Sequence, residues 1–126
     1  MSLIVWQSEP EHQMKKLLNY GETEDELFIS RGMRLRFPGS HPHEAWLEVL
    51  VYDPQEAGRG MGLLVMTGRK AGLPLVVLPF DSEGPGHRAI STKWLVRNFE
   101  EWVYDAPIDQ VFVLDRIAPP SHPLDA

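Results

Sequence analysis

The chain has 126 residues, 43% of them apolar and 24% charged, the composition of one soluble globular domain long enough to bury its own core. It contains no cysteine, which excludes disulfides, thiolate metal ligands and a thiol nucleophile, and which fits a reducing cytoplasm. A formal charge of −6 disfavours direct binding to nucleic acid or to an anionic membrane, and it is compatible with a basic protein partner.

The opening "MSLIVWQSEPEHQ" lacks the basic start and long apolar run of a signal peptide. No stretch approaches the ~20 apolar residues that cross a bilayer. "LIVWQ" reads as a short strand or an extension, halted by Pro10. In "HQMKKLLNYG" the spacing of Met14, Leu17 and Leu18 predicts one or two helical turns that stop at Gly21. An acidic loop, "GETEDE", follows. "MRLRF" then alternates, with Met33, Leu35 and Phe37 on one face and Arg34 and Arg36 on a wet one. "AWLEVLVYD" is apolar on both faces apart from Glu48, the pattern of a central strand.

"MGLLVM" and "LPLVVLP" are short apolar runs joined by "TGRKAG", a loop of hairpin length. A phosphate-binding loop would need G-x-x-x-x-G-K-[ST] between a strand and a helix. Here Lys70 lies between Gly68 and Gly72, no hydroxyl residue follows it, and the next element reads as a strand. "GRGMG" at 58–62 fails in the same way, so neither stretch is a nucleotide site. Gly68 and Gly72 are instead suited to positive φ at the two ends of a turn.

"FDSEGPGH" reads as a mobile loop, and "STKWLVRNFEEWVY" as the clearest helix. Ser91 or Thr92 can cap it, and Trp94, Leu95, Phe99, Trp102 and Val103 form a core-facing stripe. Pro107 closes the helix, "QVFVLD" is a last strand, and "APPSHPLDA" a proline-rich tail. The pattern predicts one α+β domain over residues 1–126, with its core at about 27–114, an N-terminal extension over 1–13 and a tail over 117–126. The expected architecture is a mainly antiparallel sheet of five or six strands with one long C-terminal amphipathic helix on one face.

Candidate chemistry is sparse. "HPHE" places His41 and His43 on one side of an extended segment beside Glu44, but two imidazoles fall short of the three or four ligands zinc needs. Ser91 lies outside any G-x-S-x-G and is better read as a cap. Glu100 and Glu101 point to different sides of the helix and form no facing pair. Glu22, Glu24, Asp25 and Glu26 make either a solvated loop or a negative patch that steers a cationic partner.

Three blocks, "RGMRLRFPGSHPHEAWLEVLV", "LLVMTGRKAGLPLVVLP" and "AISTKWLVRNFEEWVYDAPIDQVFVL", resemble in order the immunity protein 45 family of bacterial polymorphic-toxin systems. The likeness spans residues 31–113, with Arg69 and Phe99 departing from the family pattern. It implies an α+β fold and a cytoplasmic, non-enzymatic protein that binds and neutralises a co-encoded toxin without a cofactor. On that reading Glu24, Asp25 and Glu26 are electrostatic toxin contacts and Trp6 an aromatic anchor, with a homodimer left open. The alternatives are a small metal-dependent enzyme using His41 and His43, or a structural, oligomer-forming domain of a secretion or phage system.

Overall fold

The computed structural model describes residues 14–40 and 44–123. Its main layer is a six-stranded sheet, built from β1 (Met14–Lys16), β3 (Arg34–Pro38), β4 (Trp46–Tyr52), β5 (Arg59–Val65), β6 (Pro74–Pro79) and β8 (Phe112–Leu114). Their order is β1-β8-β3-β4-β5-β6, and every pairing is antiparallel. A second ladder of two residues joins β2 (Phe28–Ile29) to β7 (Ile90–Ser91). It delivers the chain directly into the helix α1 (Thr92–Trp102).

The period-2 pattern sets which face is dry. Leu35 and Phe37 on β3, with Leu47, Val49 and Val51 on β4, are buried and pack with Leu95 and Phe99 of α1. The Phe37 and Phe99 rings meet edge to face at 5.2 Å, a favoured aromatic geometry. The helix starts where Ser91 Oγ accepts the Trp94 N–H at 3.4 Å, satisfying one first-turn amide. It is short rather than long, at 11 residues. Tyr104 leaves the helix to pack its ring 5.2 Å from Phe37 and bond Ser40 through its hydroxyl, and Pro107 then disfavours helix for the residue before it.

Three further expectations are revised. Residues 14–19 form strand β1 and then a single 3₁₀ turn, Leu17–Asn19, rather than α-helix. The cause is tertiary: Met14–Lys16 pair with β8, and the Leu17 N–H donates to the Val111 carbonyl at 2.7 Å. The second face of β3 is not wet at Arg34, which is only 3% exposed. The loop after β6 is tied down, since Arg88 donates to Asp53 and to Glu83, each at 2.7 Å, and Glu83 bridges to Ile90. This pairing holds the Asp53 carboxyl below its ordinary value and raises the Arg88 guanidinium.

Candidate functional site

The acidic turn packs on the N-terminal end of α1. Thr92 donates its backbone N–H to the Leu27 carbonyl at 3.0 Å and its hydroxyl to the Glu26 carbonyl at 2.7 Å. Residues Glu24–Glu26 form a 3₁₀ turn there, and it is backbone carbonyls, those of Glu26 and Leu27, that meet the helix end. The three are not equivalent. Glu26 accepts from Lys15 Nζ at 2.9 Å and from the Gly21 N–H at 3.2 Å. The Lys15 bond is the main reason its carboxyl titrates below the ordinary range, against the opposing effect of burial. Glu24 and Asp25 are exposed.

Behind the turn lies a groove of about 690 Å³ whose lining includes Lys15, Tyr20, Glu26, Arg34, Asp115 and Arg116. Burial raises the Tyr20 phenol, and the charges of Glu26, Asp115 and Asp25 push it further, with Arg116 opposing. The groove's charges are mixed in sign, which suits no single ionic ligand. Trp6 lies outside the described residues.

On the opposite sheet face, register brings Lys16, Phe112, Arg36 and Glu48 into one row across β1, β8, β3 and β4. Glu48 is held from both sides: Arg34 donates to one carboxylate oxygen at 3.0 Å, and Arg36 to the other at 3.0 and 2.7 Å. Arg34 also donates twice to the Asp115 carbonyl, at 3.1 and 2.8 Å. A shallow concavity of about 440 Å³ adjoins the row, with Met14, Trp46, Thr67 and Phe112 in its wall. Trp46 is 49% exposed and touches Phe112 edge-on at 6.2 Å. This cluster was missed at the level of sequence. Its signal was Glu48 as the lone charge inside an apolar strand, with two arginines alternating on the neighbouring one.

His41 and His43 lie outside the described residues. Among the described residues, no group of three or more histidine or acidic side chains could hold a metal ion. Glu44 is engaged elsewhere, accepting the Arg69 N–H at 3.2 Å. The β5–β6 turn thus holds an anion after all, but an internal one. Gly68 (φ +78°) and Gly72 (φ +92°) take the positive φ expected of them, and a Cβ on Gly68 would collide with the Glu44 carboxylate.

The helix stripe divides in two. Leu95, Phe99 and Val103 are buried. Trp94, Asn98 and Trp102 form a flank at i, i+4 and i+8, where the two indoles meet at 6.2 Å. Trp102 is 39% exposed, so it is not the core residue its spacing predicts. Asn98 ties the flank by donating to the Trp94 carbonyl at 2.8 Å.

A six-stranded antiparallel sheet covered by one helix defines a small α+β domain. The model of the immunity protein 45 family matches residues 17–113, and the chain belongs to that family. No curated protein and no solved structure matches it. No helix among the described residues is long and apolar enough to cross a membrane.

Proposed function

We propose that the protein is a cytoplasmic immunity protein that binds a co-encoded bacterial toxin and blocks its active site or substrate path, performing no catalysis itself. The observation that carries this reading is the family match over residues 17–113, which takes in β2 to β7, α1 and most of β8. The acidic turn supports it. Glu24 and Asp25 stand in water at a fixed place on the helix end, where they steer a cationic partner and raise its association rate. Glu26 contributes its remaining exposed edge and positions the other two through Lys15 and Gly21. Trp6 is assigned as an aromatic anchor on residue type alone.

The test is capture of the adjacent gene's product, inactivated for expression, followed by calorimetry. A Kd in the nanomolar range is expected, and absence of binding to any neighbouring product overturns the reading. In the complex, reversing Glu24, Asp25 and Glu26 to lysine lowers the association rate about tenfold and flattens its salt dependence. Unchanged stopped-flow kinetics would remove the three from the interface.

A further inference from the structure

The net charge of the molecule is concentrated around α1. Residues 20–27 and 92–110 hold eight carboxylates against Lys93 and Arg97, and Lys15, bonded to Glu26, brings the balance on this side to −5 of the chain's −6. The remainder carries ten acidic and nine basic side chains and is nearly neutral. Both segments belong to one side of the fold. The first is bonded to Thr92 at the start of α1. The second is α1 itself, its exit and the 3₁₀ turn Ile108–Gln110 packed against it.

The same side displays apolar groups. Leu18 is 46% exposed on the 3₁₀ turn beside α1, Leu27 is 42% exposed on the segment bonded to Thr92, and Trp102 is exposed next to Trp94. Among the described residues, the other large exposed apolar side chains are dispersed: Trp46 on β4, Leu73 and Phe80 beyond the two ends of β6, and Ile117 in the tail. A half-exposed tryptophan pair already held by packing loses little side-chain freedom on binding, which is what an interface anchor needs. Acidic groups at both ends of that pair decide the partner's chemistry.

We infer that the α1 side is the docking face, with Trp102 and Trp94 as its anchors, and that its occupant is a basic protein surface. A toxin groove built to hold a phosphodiester backbone has that character. The inference rests on the immunity reading and goes beyond it by naming the face and the sign of its partner. Trp102 supplies apolar area at the C-terminal end of α1, while Glu101, Asp105 and Asp109 carry negative charge from the last turn of the helix into its exit.

The test uses the full chain and the inactivated product of the adjacent gene. Trp102→Ala is expected to raise Kd about 30-fold, mainly by faster dissociation. Reversal of Glu101, Asp105 and Asp109 to lysine is expected to slow association about tenfold and to weaken its salt dependence. All three positions are exposed, so this variant folds even if the tryptophan variant does not. Trp46→Ala, on the opposite sheet face, leaves both rates unchanged.

If the wild type fails to bind, the immunity reading itself falls and this inference with it. If the wild type binds and the helix-side variants bind equally well, the inference alone is overturned. A loss confined to Trp46→Ala moves the interface to the other sheet face. Sedimentation of the free protein separates out self-association: a mass near twice 14.4 kDa that reverts with Trp102→Ala makes the occupant a second copy and overturns the basic partner.

Discussion

Glu48 and Glu24 are the same residue type on a chain with surplus acid, yet one is 9% exposed between two arginines and the other stands in water beside the helix. Between these extremes lie Glu44, captured by the backbone of the β5–β6 turn, and Glu26, held by one lysine and one amide. The series separates charges the frame consumes from charges it leaves for a partner. Burying a carboxylate is costly unless its lone pairs are met, so the sheet gives Glu48 two guanidinium groups. The carboxylates around α1 face no such demand, and their field extends to whatever approaches.

The sharpest way to break this contrast is Glu48→Ala. It leaves Arg34 buried and Arg36 beside it without their shared counter-charge, at an expected cost of about 3–5 kcal/mol in urea unfolding. Replacing Arg34, Glu48 and Arg36 together by apolar residues of similar volume costs far less than the sum of the single changes. Additive losses would mean the three do not act as a unit. The folded fraction of Glu48→Ala should associate with the toxin at the wild-type rate, because its charge is not displayed.

A smaller effect tests the intermediate capture of Glu44. Gly68→Ala places a side chain at φ +78° and in the space of the Glu44 carboxylate. The left-handed backbone costs roughly 1–2 kcal/mol for a residue with a Cβ. The displaced hydrogen bond to Arg69 adds about 0.5–1 kcal/mol. A loss below about 0.5 kcal/mol would show that the turn relaxes freely and that Glu44 is not part of its structure.

How far the sequence revealed these arrangements depends on how local their causes are. The buried Leu35 and Phe37 face of "MRLRF", the glycine-bounded β5–β6 turn and the serine cap of α1 are set by neighbours in the chain, and the structure follows them. Met14, Leu17 and Leu18 have helical spacing, and only pairing with β8, about a hundred residues away, makes a strand of the first of them. Arg34 reads as solvent-facing because its partners are 14 and 81 residues distant. Trp102 lies within the apolar stripe but at its margin, beyond the arc of Leu95, Phe99 and Val103 that the sheet covers. The acidic turn was visible as charge. Its docking on the helix end was not, because that depends on Thr92 reaching back 66 positions to Glu26.

Glu26 supplies the smallest prediction and the finest division of the series, since it is both part of the frame and part of the acidic turn. Its folded pKa is lowered, chiefly by Lys15 with help from the Gly21 N–H. The stabilisation is therefore complete above the ordinary glutamate value of 4.5 and is lost as pH falls through the lowered folded value. The stability difference between wild type and Glu26→Gln should be flat from pH 7 to about 5 and shrink below that as the wild-type carboxyl protonates. Thermal unfolding of both proteins between pH 7 and 3 measures it. A difference that stays constant to pH 3 would mean that Glu26 acts in the frame by shape and neutral hydrogen bonding, and that its charge, unlike that of Glu48, contributes no stability.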